Sequence, residues 1–432
     1  MSVRDLRVVS GLTQEQLAEK SGMSVRAIRD IERGSTRRPY RQSLQRVAEA
    51  MGLTELETVD LIGMVYMQPH GRRRSPCDSP RSPAAKHDTT QQALAHLPPG
   101  PKGFLWRTDE LRWLDQLLND AGDGFSTAVL SGAPGVGKTV IALRWSHLSK
   151  ERFSDGVLYA DLLGFDARPA VSPESVLRRF LRALGIADHR IPLSLEECSA
   201  LYRAVLADRN ALIVLDNAAD VEQVRPLLTD ASRCRVIITS RNAMTGLVVR
   251  DGAHRYRVDY LSDAEALALF ESVVGAQSTR REPEAALSLL ALCDRSPLAV
   301  RLMAERIANQ RYMSMTDAAD RISAAKLPLN TFETPGDPHS SIRDLMSWSY
   351  RELPAEIAGV FDSIGFLNSV TFRFEDIAVA GSASRMPAEE VATALEWLLE
   401  VHLLEEEMPG TYRINKLLWW YAQEMTDQTG ER

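Results

Sequence analysis

The sequence predicts a multidomain α and α/β chain: an all-α head, a parallel-sheet α/β domain, a helical bundle and a smaller mixed C-terminal domain. Three observations carry that expectation. Residues 3–60 read as short capped helices; from Thr127 short apolar runs alternate with helical patterns; after about Tyr260 the pattern turns helical. The chain has 432 residues, and at ~150 residues per domain this length suggests about three domains. Its 44% hydrophobic and 25% charged content excludes a fibrous repeat and a wholly disordered chain. A formal net charge of -7 excludes a uniformly basic nucleic-acid coat. Apolar runs such as Ala211–Leu215 fall far short of the ~20 residues that span a bilayer. Residues 1–30 lack a continuous apolar signal core. The expectation is a cytoplasmic protein with no membrane partner. Cys77, Cys198, Cys234 and Cys293 lie far apart without a CxxC pair, which suits free thiols in a reducing compartment.

The head is the basic part of an acidic chain. Residues 1–46 carry ten Lys or Arg against five Asp or Glu, a cue for a polyanion contact. Leu6 and Val9 lie on one side of the first helix. Thr13 can cap Gln14 to Glu19, and Gly22 ends that helix. Ser24 then caps Val25 to Glu32, Gly34 stops it, and further helices run from about Arg41 to Ala50 and after Thr54. Two capped helices about a tight glycine turn have helix-turn-helix geometry. The second helix would expose Ser24, Arg26 and Arg29 while Val25, Ile28 and Ile31 pack inward. Gln14 could reach a phosphate or base edge. Arg37, Arg38 and Arg41 would add salt-sensitive attraction to a DNA backbone. The same spacing also fits a small helical protein-interaction module. The stretch from Gln68 to Gly103, with MQPHGRRRSPCDSPRSP and LPPGPKG, has little apolar periodicity and reads as a linker.

Four runs read as buried strands: TAVL at 127–130, GVLYA at 156–160, ALIVL at 211–215 and RVIIT at 235–239. Helical patterns from Thr139 to Leu148 and Pro173 to Leu184 lie between them. GAPGVGKT, from Gly132 to Thr139, follows the first strand and opens a helix, the context a phosphate-binding loop requires. Gly132, Gly135 and Gly137 let the backbone turn tightly and present N–H groups to phosphate oxygens. Lys138 would lie against the terminal phosphates, and Thr139 would put its hydroxyl on Mg²⁺. The implied cofactors are ATP or ADP with Mg²⁺. Asp216, ending the third strand, would orient the Mg²⁺ water shell; the alternative is a helix cap for Asn217 to Leu228. Asn217 stands where a second acid would follow, and an amide does not readily take a proton from water. Glu196, Glu197 and Asp220 are near in sequence, but nothing places them at the phosphate. Arg241, ending the IITSR strand, could reach a γ-phosphate or form a surface salt bridge. Lys138, Asp216 and Arg241 are therefore the candidate catalytic set.

Beyond the sheet, Ala264 to Val273, Glu284 to Leu292 and Leu298 to Ile307 are the clearest helices. Residues 341–426 are mixed, with a short hairpin near Leu403 to Ile414. The expected boundaries are 1–67 for the DNA-binding head, 68–102 for the linker, 103–260 for the P-loop NTPase domain, 261–335 for the helical domain and 336–432 for the last domain.

LTQEQLAEKSGMSVRAIRDIERG at 12–34 resembles the helix-turn-helix of the phage-repressor-like (XRE) family, which implies operator DNA read through the helix near Ser24, usually by a dimer. From Gly103 to about Glu424 the chain resembles NB-ARC proteins, the STAND class of signalling ATPases. More closely, it is similar to actinobacterial regulators with an N-terminal helix-turn-helix. GFLWRTDEL at 103–111 resembles the family's lead-in and implies an adenosine-side contact for Arg107. DRSPLAV at 294–300 resembles the GLPLA segment and implies that Pro297 touches the adenine. DLMSWSYRELP at 344–354 resembles the opening of the family's winged-helix region, so the last domain is expected to be winged-helix-like. In TYRINKLL at 411–418, Asn415 and Lys416 stand where relatives place a histidine and an aspartate. That histidine meets the β-phosphate of ADP. Asn415 can donate one hydrogen bond but cannot become cationic, and Lys416 reverses the aspartate's charge.

With Asn217 in place of a second acid, and Asn415 and Lys416 departing from the relatives, the expectation is a nucleotide-sensing switch with slow or absent ATP hydrolysis. ADP would hold the last two domains over the nucleotide. ATP would open them and promote homo-oligomerisation, bringing the basic heads together. Many relatives continue into sensor repeats, and the sequence to Arg432 shows none, so the expected signal is nucleotide, a protein partner or an input to the helical body. The alternatives are an ATP-dependent signalling scaffold whose head binds protein and an ATPase with rapid turnover.

Overall fold

The computed structural model describes residues 126–430 except 311, 312, 335 and 382, together with 97–100, 107–119 and, in the head, residues 7, 12–23, 25, 28, 29, 47, 48, 50 and 51. The chain divides into two compact units, residues 1–85 and 86–432.

In the head, the helix Gln14–Ser21 is set by its N-terminal residues. The Thr13 hydroxyl accepts the Gln16 N–H at 3.1 Å, and the Gln16 side chain accepts the Thr13 N–H at 2.9 Å. This reciprocal pair satisfies N–H groups that the helix itself cannot. Gly22, at φ +67°, ends the helix in a conformation that costs other residues. Leu17, Ala18, Ile28, Val47, Ala48 and Met51 form a small core, with Val25 against it. Leu6, Val9, Ser24, Ile31, Gly34, Arg41 and Thr54 lie outside the described residues.

In the second unit, helix Thr108–Asn119 precedes a parallel five-stranded sheet in the order β2-β3-β4-β1-β5. Its strands are β1 Ser126–Ser131, β2 Val157–Asp161, β3 Leu212–Ala218, β4 Arg235–Ser240 and β5 His254–Arg257. The four expected strands are present, and β5 is an addition. Alternate residues go to opposite faces, as a pleated strand requires. Ala128 and Leu130 pack with Ile141 and Trp145 of helix Lys138–Ser149; Val129 packs with Phe180 and Tyr202 from helices Pro173–Ala183 and Leu195–Leu206. Both faces are therefore buried, which explains why these strands read as continuous apolar runs. The chain enters the loop after β1 beside β4, and the carboxyl ends of β1, β2, β3 and β4 face the site described below.

Helices Asp263–Val274, Pro283–Leu292, Pro297–Asn309 and Met315–Ser323 follow. Then come Ile342–Arg351, Ala355–Ile364, Ala388–Glu400 and Lys416–Gly430, with a three-stranded antiparallel sheet in the order β6-β8-β7, a winged-helix-like module. Its strands are β6 Thr371–Arg373, β7 Glu405–Met408 and β8 Thr411–Arg413, so the expected hairpin is present and gains a third strand. One buried cluster runs from Leu261 and Phe270 through Phe332 and Phe361 to Tyr421, so these helices share a single core. The helix weighed for Asn217 to Leu228 is reduced to one α turn, Val221–Val224, and a 3₁₀ turn, Arg225–Leu227; Pro226 in that second turn has no N–H to continue an α-helix. Cys198, Cys234 and Cys293 are free and buried, while Cys77 lies outside the described residues. Among the described residues no helix is long and apolar enough to cross a membrane.

Candidate functional site

The site begins where β1 runs into its glycine loop. A Cβ on Gly132 would sit 2.4 Å from the Val258 carbonyl oxygen, so only glycine fits there. Gly135 (φ +77°) and Gly137 (φ +96°) hold left-handed conformations that turn the loop into helix Lys138–Ser149. Lys138 is buried in the concavity. Its ammonium donates to the carbonyls of Gly132 at 2.7 Å and Ala133 at 2.8 Å. Burial and then the nearby Arg241 charge push its pKa well below the ordinary lysine value, while Asp216 opposes them.

Asp216 is a hub and not a helix cap; Asp220 caps the short helix by accepting the Gln223 N–H. Asp216 Oδ1 accepts the hydroxyls of Thr139 at 2.8 Å and Thr239 at 2.5 Å, and Oδ2 accepts the Tyr159 hydroxyl at 3.0 Å. Burial, then the charge of Asp216, raises the Tyr159 pKa, so this hydroxyl remains a donor. Asn217, at φ +55°, donates its N–H to Thr239 Oγ1 at 2.9 Å and its side-chain amide to the Phe165 carbonyl at 3.3 Å. Asp161 pairs across the strands with Asp216. Its Oδ1 accepts the Leu163 N–H at 3.1 Å. Burial raises its pKa, with the Leu163 bond opposing and Asp216 adding to the rise.

Arg241 is buried, so the surface salt bridge is excluded. It donates to the Leu345 carbonyl and to the Ser349 hydroxyl, each at 2.6 Å, both on helix Ile342–Arg351. Its guanidinium stacks 5.0 Å from the Phe165 ring centre. Burial lowers its pKa to about 9, partly offset by Asp166. Lys138, Thr139, Asp161, Asp216 and Arg241 open onto one cavity of about 440 Å³, also lined by Gly135, Gly137, Pro98, Leu298 and Trp348.

Residues 3–57 match the helix-turn-helix family model, and residues 108–280 match the NB-ARC domain model. The chain joins a helix-turn-helix domain to an NB-ARC domain. It is similar to the regulatory protein AfsR of Streptomyces coelicolor, 37% identical over 356 residues that cover 80% of this chain and 35% of that protein. It is also similar to AfsR of Streptomyces griseus, 36% identical over 332 residues covering 76% of this chain and 33% of that one. The chain thus spans about a third of the length of these curated relatives. A Walker-type ATPase of Pyrococcus abyssi superposes with a TM-score of 0.48 at 12% identity, covering 77% of this chain and 99% of that one.

Around the NB-ARC cavity, three residues singled out from the sequence sit behind the wall. Arg107, at φ +77°, is buried against Glu110 at 2.9 Å and donates to the carbonyls of Val136 at 2.9 Å and Asp259 at 2.8 Å. It braces the phosphate loop from behind and does not line the cavity. Pro297 is the first residue of its helix, and its neighbour Leu298 lines the cavity instead. Asn415 caps helix Lys416–Gly430, accepting the Leu417 N–H at 3.0 Å and donating to the Asp294 carbonyl at 3.2 Å. The Lys416 N–H and Arg413 hold the Asp294 carboxylate, each at 2.7 Å. The 413–416 segment thus grips the turn ahead of Pro297, in which Asp294 and Arg295 both have positive φ.

Sequence reasoning missed several participants. Tyr159, Asp161 and Thr239 reach the site only through strand register, and Ser349 only through tertiary packing. His402, at φ +54°, has both ring nitrogens buried without a partner among the described residues. Burial first, then Lys138, Arg257 and Arg255, depress its pKa to about 3. In the head, Arg29 is exposed and its Nε donates to Gln14 Oε1 at 3.4 Å, so these two candidate DNA contacts are adjacent. Ser24, Arg26, Arg37 and Arg38 lie outside the described residues.

Proposed function

We propose that this chain is a nucleotide-controlled, DNA-binding transcription regulator of the STAND class with slow or absent ATP hydrolysis. The observation that carries this reading is the double engagement of Arg241. It lines the cavity beside Lys138, yet its donors hold helix Ile342–Arg351. A terminal phosphate in the cavity and the winged-helix-like module compete for one guanidinium. ADP leaves Arg241 on Leu345 and Ser349 and keeps the module packed. ATP draws Arg241 away, loosens that packing and favours homo-oligomers, which bring the basic heads together.

The residues present fit a Mg²⁺-nucleotide. The glycine loop supplies tightly turned backbone, Lys138 supplies a cation, and a hydroxyl and a carboxylate stand 2.8 Å apart at Thr139 and Asp216. The loop of Gly132, Gly135 and Gly137 with Lys138 would hold the phosphates. Thr139, and Asp216 through water, would hold Mg²⁺, which supplies charge neutralisation of the phosphates when bound. Arg107 supports the loop from behind. Asn415 supports the turn that leads into Pro297 and sets Leu298 against the cavity. The reading takes residues 1–67 as the operator-binding head, 68–102 as linker, and 103–260, 261–335 and 336–432 as the switching body. Gln14, Ser24, Arg26, Arg29, Arg37 and Arg38 contact double-stranded DNA in a cytoplasmic setting. The upstream signal is nucleotide itself, a protein partner or an input to the helical body.

The test measures oligomeric state and affinity for a panel of DNA duplexes at several salt concentrations, with ADP and then with ATP. The reading predicts larger assemblies and tighter sequence-selective binding with ATP. Identical behaviour with both nucleotides contradicts the switch, and indifference to DNA at low salt favours a protein-binding scaffold.

A further inference from the structure

We infer that Asp161 is the working base of the phosphate cavity, taking the proton of the water that attacks the terminal phosphate of a bound nucleoside triphosphate. This rests on the nucleotide reading above. The residue after Asp216 is Asn217, whose amide is already spent on the Phe165 carbonyl. The other acids near the site are also committed. Asp216 gives both oxygens to Thr139, Thr239 and Tyr159. Asp166 gives both to Arg168, at 2.9 and 3.1 Å. Asp220 caps its helix through Oδ1 and does not line the cavity. Asp161 alone among the cavity acids keeps an oxygen, Oδ2, without a hydrogen bond among the described residues, and it stands beside Asp216 at the carboxyl end of the adjacent strand.

The surrounding backbone holds Asp161 in place. The Leu162 N–H donates to the Asp216 carbonyl at 2.8 Å, and the Gly164 N–H donates to the Asn217 carbonyl at 2.7 Å. Gly164 lies so close to β3 that an added Cβ would be 2.2 Å from the Ala219 nitrogen. Asn217 is thus the clamp for the segment that follows Asp161, and a fixed carboxylate orients water without reorganisation. In the step itself, the water oxygen bonds to the γ-phosphorus as the bond from that phosphorus to the β,γ-bridging oxygen breaks. The electron pair leaves on the diphosphate, and the water proton passes to Asp161 and on to inorganic phosphate.

The test compares the full chain with Asp161→Asn, which keeps shape but takes no proton, and with Asp161→Glu. Three quantities are read: affinity for Mg²⁺-ATP, phosphate release at saturating ATP and Mg²⁺, and the identity of the nucleotide that co-purifies. The expected result is ATP affinity within about 3-fold of the parent, phosphate release lower by about 100-fold or more in Asp161→Asn, and partial release in Asp161→Glu. The asparagine variant should also carry triphosphate where the parent carries diphosphate. Parental release by Asp161→Asn overturns the assignment. So does a parent that binds ATP and releases no phosphate, or a variant restored to the parental rate by excess Mg²⁺, which makes Asp161 a metal ligand. A parent that binds no nucleotide overturns the nucleotide reading itself, and the assignment with it.

Discussion

Ser349→Ala perturbs the proposed switch with the smallest change available. The substitution deletes one hydroxyl that accepts from Arg241 at 2.6 Å and leaves the bond to the Leu345 carbonyl intact. Both partners are buried, so solvent does not replace the lost acceptor. A hydrogen bond to a charged group contributes about 1.5–3 kcal/mol, which shifts the balance between packed and released module by roughly 10- to 150-fold. Apparent affinity follows the population of the competent state. The ATP affinity of the variant should therefore rise relative to its ADP affinity by up to that factor. Equilibrium titration with each nucleotide measures the ratio, and limited proteolysis of the ADP form reports the released module. Equal changes in both affinities, or none, refute the idea that Arg241 is shared between phosphate and helix Ile342–Arg351.

Three further predictions concern other parts of the molecule. His402, depressed to about 3 by burial first, stays neutral in the fold where the unfolded chain binds a proton; its stabilisation is whole above pH 6.5 and falls away as pH drops toward 3. The loss by pH 5 is ~2 kcal/mol, and His402→Gln should flatten that part of the urea-stability profile; an unchanged slope contradicts the placement. Gly164→Ala forces a Cβ against backbone that cannot yield and should cost ~1–3 kcal/mol, read from the urea midpoint, with an unmoved midpoint counting against the clamp. Arg29→Ala should weaken DNA binding and lower the salt slope by about 1, whereas an unaltered slope removes Arg29 from the phosphate contacts.

What could be read in the sequence depended on whether the chemistry was local. The phosphate loop was legible because its glycines, Lys138 and Thr139 are consecutive and bracketed by a strand and a helix. Asp216 and Arg241 were legible as polar residues ending apolar runs. β5 was not, because HRYR is an edge strand whose side chains are largely exposed and carry no apolar signal. Asp161 ends the run GVLYA as Asp216 ends ALIVL, but only the β2–β3 register places it beside Asp216. The partners of Arg241 were hidden for the same reason, Ser349 being 108 positions away in the chain. The expected linker ran to residue 102, yet Leu97 packs on the sheet core, the Pro98 carbonyl lies 2.8 Å from His147 Nε2, and Pro98 lines the cavity. A proline-rich composition masked those contacts. For Arg107 and Asn415 the motif pointed to the neighbourhood, and only the geometry gave the bonds each side chain makes.

The most direct measurement is an equilibrium titration of the full chain and its Lys138→Ala variant with fluorescent ADP and ATP in Mg²⁺. The account predicts one saturable site per chain in the parent and its loss in the variant, with binding of DNA by the head retained at low salt. A folded parent that takes up neither nucleotide, or a variant that binds as tightly as the parent, contradicts it.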